Sequence, residues 1–253
     1  MATPVNLSVI KAFRMLNAFE YAGEKLSLSQ LTRRLDMNVA TAHRFLITLQ
    51  SVGAVVKTPN GSFELGLLLA DLGGKVSIID VMNSISMPHV ESLAERFGET
   101  IHAAILDNDM VCYVAKGEVS RSLTLITHIG KRLPAYCTGL GKALMSTLDE
   151  AELQRCIARQ SFQPFTEKTT TEPAALLEKL QLTRERGYAI DDEEVEIGLR
   201  CVAVPIIGRS DQLKAAISLS APTTRLDQAK VEEVARALRE QALLIGEKLA
   251  ARP

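Results

Sequence analysis

Four groupings of residues in this chain have the types and spacing for chemistry. The first is Thr41, His43 and Arg44, with Thr48 and Gln50 a turn or two further on. A guanidinium suits guanine O6 and N7 or a phosphate, threonine suits a phosphate or a thymine methyl, and imidazole can donate to either kind of acceptor. No carboxylate interrupts that segment. The second is Thr138-Gly-Leu-Gly-Lys-Ala143, which invites a phosphate-loop reading. The pattern G-x4-G-K-[ST] fails at both ends, because Tyr136 stands five residues before Gly141 and Ala143 replaces the magnesium-holding hydroxyl. ATP binding is not expected; the segment is either a helix start whose backbone N–H groups suit a small carboxylate or simply a tight strand-to-helix turn.

The third grouping is the acidic run Asp191-Asp-Glu-Glu-Val-Glu196. It has ligands for a cation or groups for acid–base work, and it also fits a solvated loop. The fourth would take Cys201 or Cys137 as a nucleophile with His102 or His128 as base, giving a cytosolic small-molecule hydrolase. Nothing in the spacing puts a histidine beside either thiol, and a cysteine among Val202, Ala203 and Val204 reads more naturally as a small buried hydrophobe. The four cysteines, Cys112, Cys137, Cys156 and Cys201, show no CxxC or finger spacing, so neither a disulfide framework nor a structural metal is indicated and no cofactor is expected.

The first grouping needs a helix to present it, and its surroundings supply one. Ser27 and Gln30 form a capping box that starts a helix at Leu28, with Leu28, Leu31 and Leu35 inward. Asp36-Met37-Asn38 breaks it. Asn38 then caps a second helix whose buried stripe is Ala42, Phe45, Leu46, Leu49 and Val52, ending at Gly53. Val55-Val56 and Phe63–Leu65 flank Pro59-Asn60-Gly61, a hairpin signal. Helix, turn, helix and hairpin make a winged helix-turn-helix, in which the second helix enters the DNA major groove. The same fold also serves elsewhere as a protein-contact module. The candidate DNA contacts are Ser29, Ala40, Thr41, His43, Arg44 and Thr48, with Lys57 and Asn60 from the wing.

Here the chain resembles the IclR-type bacterial transcriptional regulators over nearly its whole length. The opening Ser8-Val9-x-Lys11-Ala12, the segment Thr41-Ala-His43-Arg44-Phe-Leu and Phe63-Glu-Leu65-Gly66 resemble the family's N-terminal domain. Arg132-Leu-Pro134-Ala-Tyr-Cys137-Thr-Gly-Leu-Gly-Lys142-Ala-Leu and the stretch from Gly187 through Asp191, Gly198 and Cys201 to Pro205 resemble its effector domain. The resemblance implies a GAF-like or profilin-like antiparallel sheet that binds a small effector, in a homodimer or homotetramer. It also implies an effector pocket. Asp191 and Cys201, Ser218 and Ser220, and the backbone donors Gly139 and Leu140 match the family's pocket residues, with Leu125 and Leu133 as the apolar wall. One departure is Val39-Ala40, where family members often carry lysine and serine.

At 253 residues the chain has room for two cores. No apolar run approaches a membrane span and the N-terminus lacks a signal-peptide pattern, so a cytoplasmic protein is expected. Residues 1–65 carry a net +3 and the remainder a net −4, so only the N-terminal part is dressed for a polyanion.

Along the chain, Leu7 to Tyr21 reads as a first helix burying Val9, Ile10, Phe13, Leu16, Ala18 and Phe19. Leu65 to Leu72 is nearly all apolar, and Gly73-Gly74 is the best hinge candidate. Ile78 to Phe97 is helical with a kink or restart at Pro88. Hairpin strands follow at 100–106 and 110–115, then a strand at 123–129, helices at 138–148, 149–158 and 173–186, strands at 189–190, 201–207 and 213–219, the last two joined by a turn at 208–211, and a closing helix at 227–249. The expected class is therefore α+β. Its domains are a winged helix-turn-helix at 1–66, a linker helix and hinge at 67–80, and an effector domain at 81–253. The expected function is an effector-responsive regulator, a repressor of a catabolic operon, reading a pseudopalindromic operator and sensing a small carboxylate. Effector identity and operator sequence are not encoded legibly.

Overall fold

The computed structural model describes residues 5–21, 23–75, 77–119, 127–208 and 213–251. Contacts divide the chain after Ser77 into two units, each built around its own core.

The first unit opens with α1 (Leu7–Leu16), capped by the Asn6 side chain, which accepts the Ser8 and Val9 N–H groups at 3.0 and 3.4 Å. α2 (Leu28–Leu35) carries the expected capping box: the Gln30 N–H donates to Ser27 Oγ, and the Ser27 N–H donates to Gln30 Oε1 at 2.8 Å. Such a cap contributes about 1 kcal/mol. Asp36, in the left-handed region at φ +48°, ends α2, and Asn38 caps α3 (Val39–Ser51) by accepting the Ala40 and Thr41 N–H groups. β1 (Val55–Lys57) and β2 (Phe63–Leu65) pair antiparallel as the wing, and α4 (Leu67–Gly73) follows. Met15, Phe19, Leu31, Leu35, Ala42, Leu46, Leu49, Val55 and Phe63 close one core.

Two expectations fail here. α1 stops at Leu16, five residues short of Tyr21, and it turns its supposed core residues Val9, Ile10 and Phe13 outward, Phe13 being 61 % exposed. Only Met15 of this helix is buried, because one small helical unit has too little interior to cover all of its apolar side chains. Val52, assigned to the buried stripe, is 55 % exposed. It occupies the cap position itself, and Gly53 follows in the left-handed region at φ +78°.

The second unit begins with α5 (Ile78–Phe97), which runs unbroken through Pro88. β3 (Thr100–Asp107), β4 (Met110–Gly117), β5 (Arg132–Pro134), α6 (Gly139–Met145), α7 (Glu150–Arg159), α8 (Pro173–Arg186), β6 (Ala189–Asp192), β7 (Leu199–Ile206), β8 (Ala215–Pro222) and α9 (Gln228–Ala251) complete it. The strands form one antiparallel sheet in the order β5-β4-β3-β8-β7-β6. Its alternating side chains feed two cores. Ile101, Val202, Val204, Ile217 and Leu219 pack with α5 and α9 on one face. Ala104, Val111, Ala203 and Ala216 pack with α6, α7 and α8 on the other. A bulge opposite Ala103 and Ala104 gives Val114 and Ala115 to the same core while Tyr113 joins the opposite one. Of the strand expected at 123–129, positions 123–126 lie outside the described residues and 127–129 are not strand; the sheet is extended by β5 instead. The turn expected at 208–211 also lies outside the described residues from position 209 onward, although the two strands it joins do pair. No described helix is long and apolar enough to cross a membrane.

Small residues seat α6 on the sheet. A Cβ at Gly141 would lie 2.1 Å from the Ala135 carbonyl oxygen and 2.3 Å from its Cα, both backbone. Gly141→Ala is therefore expected to destabilise the second unit by about 1–3 kcal/mol through overpacking, seen as a lower midpoint in denaturant unfolding. An unchanged midpoint would mean that the α6 contact is looser than described.

Candidate functional site

In the first unit, the Asn38 cap fixes where α3 begins and Leu46, Leu49 and Ala42 fix which side is inward. Val39, Ala40, His43, Arg44, Ile47, Thr48 and Gln50 face outward, while Thr41 is half-buried. Thr48 is partly spoken for, its Oγ1 donating to the Arg44 carbonyl at 3.0 Å. Arg44 also borders a groove between α1 and α3, beside Ser8, Val9 and Ala12. Ser29 is exposed on α2, with its hydroxyl 3.0 Å from that of Ser27. On the wing Lys57 is exposed, its ammonium 5.9 Å from the centre of the Phe63 ring, and the Asn60 side-chain oxygen ties the turn by accepting from Thr58 Oγ1 and the Ser62 N–H.

In the second unit, pairing register produces two polar rows on the α6 side of the sheet. Asp191 on β6 stands opposite Cys201 on β7, which stands opposite Ser220 on β8. One step along, Ser218 on β8 stands opposite His102 on β3. Where these rows pass under the start of α6 lies a cavity of about 240 Å³. It is lined by Leu133, Thr138, Gly139, Leu140, Asp191, Cys201, Ser218 and Ser220, together with His102, Tyr113, Thr127, Lys131, Val195, Glu196 and Leu199. Every effector residue expected from sequence is thus brought together except Leu125, which lies outside the described residues. The cavity also takes in His102, Tyr113, Thr127 and Lys131, and with them Thr138, Val195, Glu196 and Leu199, none of which the sequence assigns to an effector site. The period-2 alternation that puts Ser218 on this face puts His102 there too, once β3 is known to neighbour β8; no signal in the sequence states that neighbourhood.

The electrostatics of the cavity follow from burial. Asp191 is 2 % exposed; burial raises its carboxyl to about 6, opposed by the Lys142 ammonium and by the Glu194 N–H, which donates to Oδ1 at 2.8 Å. His102 is depressed to about 3 by burial and by Lys116, so its imidazole is neutral; Nε2 lies 2.8 Å from Thr127 Oγ1, and the ring packs against that of Tyr113 with centroids 4.8 Å apart and planes tilted by 58°. Burial and the neighbouring Asp191 push both the Cys201 and Cys137 thiols up, the latter to about 12. Cys201 Sγ lies 3.1 Å from Ser220 Oγ. Neither thiol is a ready thiolate, and the geometry offers no support for a cysteine hydrolase.

Beneath the cavity, Lys142 and Glu194 form a buried ion pair. Burial would raise Glu194, but Lys142, Thr170 and Lys179 together hold it below the usual carboxylate range. The phosphate-loop reading fails in three dimensions as well, since the Lys142 ammonium is committed to Glu194 and Thr138 Oγ1 accepts the Gly141 N–H. The acidic run is only in part a solvated loop: Asp192 and Glu196 are exposed, but Asp192 pairs with Arg200, Glu193 with Lys168, and Glu194 as described. Among the described residues no group of three or more histidine, cysteine or acidic side chains could hold a metal ion.

Comparison with known proteins completes the picture. The IclR helix-turn-helix domain matches residues 8–59, and the Bacterial transcriptional regulator IclR C-terminal domain matches residues 75–247. The chain is 34 % identical over 248 residues to the HTH-type transcriptional regulator XynR of Escherichia coli (strain K12), covering 97 % of this chain and 98 % of that one. It is 33 % identical over 241 residues to the regulator KdgR of the same organism, covering 94 % and 91 %. The crystal structure of the Thermotoga maritima IclR superposes with a TM-score of 0.65 at 29 % identity, covering 96 % of this chain and 99 % of that one. These relatives are regulators and not enzymes, which removes the hydrolase alternative. The chain belongs to the IclR family of bacterial transcriptional regulators, DNA-binding proteins with an effector-binding C-terminal domain.

Proposed function

We propose that the chain is a repressor of a catabolic operon that reads a pseudopalindromic operator through α3 and its wing and answers a small carboxylate held in the second unit. The observation that carries this reading is the cavity under α6, in a chain whose other unit turns a carboxylate-free helix face to solvent. On α3, Arg44 is the base or phosphate contact, with Ala40, Thr41, His43 and Thr48 beside it, Ser29 on α2, and Lys57 and Asn60 on the wing following the backbone. In the cavity, Gly139 and Leu140 have no carbonyl inside α6 to accept their N–H groups and face a ligand carboxylate. Ser218, Ser220, Cys201 and Asp191 read its hydroxyl or oxo end, while Leu133 closes the apolar side. Residues 1–66 form the operator-reading domain, 67–80 the linker with its hinge at Gly73-Gly74, and 81–253 the sensor.

Assembly follows from the same unit. One winged helix buries roughly 600–1,000 Å² on DNA, too little for a tight specific site alone. α1 and α4 leave Leu7, Ile10, Phe13 and Leu67 in water, Leu67 being 83 % exposed. A second copy of this chain covers them, giving a dimer whose paired α3 helices match two half-sites.

Three outcomes are expected. Arg44→Ala weakens binding to a selected operator by about 1–3 kcal/mol with unchanged circular dichroism; fluorescence anisotropy showing equal affinity would remove α3 from the groove. Cys201→Trp fills the cavity and keeps apo operator affinity while abolishing effector-driven release; a retained response would move the sensor elsewhere. Phe13→Glu combined with Leu67→Glu yields monomers in sedimentation velocity, whereas the wild type sediments as a dimer or larger; a monomeric wild type overturns the assembly.

A further inference from the structure

Charge does not balance in the cavity. Among its described lining residues stand two carboxyl groups, Asp191 and Glu196, and one ammonium, Lys131. The ammonium beneath it, Lys142, is 1 % exposed and bonded to Glu194, which also accepts from the Thr170 N–H at 3.1 Å, Thr170 Oγ1 at 2.6 Å and Lys179 at 2.9 Å. Two buried carboxyl groups, Asp191 and Glu194, thus share one buried lysine, and the geometry awards it to Glu194. An anion entering so small a cavity adds a further negative charge close to Asp191 from any position. Gly139, the expected anchor of that anion, lines the same cavity as Cys201, the direct cross-strand neighbour of Asp191, and a Cβ added to it would lie 3.4 Å from the Cys201 Cβ.

We propose that the sensor takes up its carboxylate together with one proton, carried on Asp191, so that it reads effector concentration and pH jointly. This rests on the reading of the cavity as a carboxylate site. The proton comes from solvent and settles on the carboxyl of Asp191, which besides the Glu194 N–H has the Val195 N–H and the Cys201 thiol as hydrogen-bond partners. Asp191 then changes from a charge that repels the anion into a donor that binds it, a charge-assisted hydrogen bond. His102 from β3, Tyr113 from β4, Cys201 from β7 and Cys137 from the turn before α6 are all held neutral by burial, while among the described residues Lys116, Lys131, Lys142, Glu194 and Glu196 are the charges that face the site. Burial already brings the carboxyl of Asp191 to about 6, within reach of the cell's pH.

The sign is fixed by linkage. Above about pH 6 each unit of pH weakens binding tenfold, and between pH 7.5 and 5.5 affinity rises ~20-fold. Calorimetric titration of the full-length protein with pyruvate, glycerate and D-gluconate, in buffers of different ionisation enthalpy, reads both affinity and protons. The expected result is ~20-fold tighter binding at pH 5.5 with uptake approaching one proton at pH 7.5. Asp191→Asn, permanently neutral and still a donor, loses the pH dependence. Equal wild-type affinity at both pH values without proton uptake, or a pH slope that survives in Asp191→Asn, overturns the proton coupling while leaving the carboxylate site standing. Failure of all three acids to bind at pH 5.5, where the cavity is most receptive, overturns the carboxylate reading itself.

Discussion

An ammonium sealed from water must have a counter-charge, and Lys142 has Glu194. Removing either partner would leave the other as an uncompensated buried charge, which is far more destabilising than the intact pair is stabilising. Much of the sensor's arrangement hangs on this requirement. It holds α6 against the acidic loop after β6. Through Thr170 and Lys179 it also ties in the segment before α8 and α8 itself. The cavity sits above this knot, so its two polar walls, α6 and the loop carrying Val195 and Glu196, are held at a fixed spacing.

The sheet supplies the other wall by register alone. Because β8 lies between β3 and β7, residues from three distant parts of the chain, His102, Ser218 with Ser220, and Cys201, arrive on one face. Alanines and glycines nearby let α6 come close: a Cβ added at Gly139 would lie 3.4 Å from that of Cys201 and 3.6 Å from that of Ala203. A bulky residue at either position would close the cavity that the polar rows line. The same burial that shapes the space tunes its chemistry, neutralising His102, the thiols and Tyr113 and leaving Asp191 near the point where it changes charge.

In the first unit local rules govern. Caps at Asn6, Ser27 and Asn38 start three helices, left-handed residues Asp36 and Gly53 stop two of them, and the interior is filled by a dozen buried apolar side chains. What the local rules do not set is which apolar side chains find a partner. α1 has apolar residues on several sides, but only Met15 reaches the core, and Phe13 and Ile10 remain in water.

The sequence by itself determined the elements whose signals are local: the capping box of α2 and the Asn38 cap of α3, the hairpin turn of the wing, the helix from Ile78 to Phe97, the amphipathic closing helix, and the family through two long motifs. The motifs also carried five of the expected effector residues, Leu133, Gly139, Leu140, Asp191 and Cys201, to the cavity, since a motif preserves a spacing that the fold then places. Tertiary structure alone decided the order of strands, and with it the presence of His102, Tyr113, Thr127 and Lys131 in the site. It decided that Asp192, Glu193 and Glu194 of the acidic run are paired, because Lys142, Lys168 and Arg200 lie far away along the chain or across a strand turn. It decided that Val52 and Phe13 face outward. The reason is the same in each case: hydrophobic period and turn chemistry act over a few residues, whereas burial, charge pairing and register depend on which distant segments come into contact.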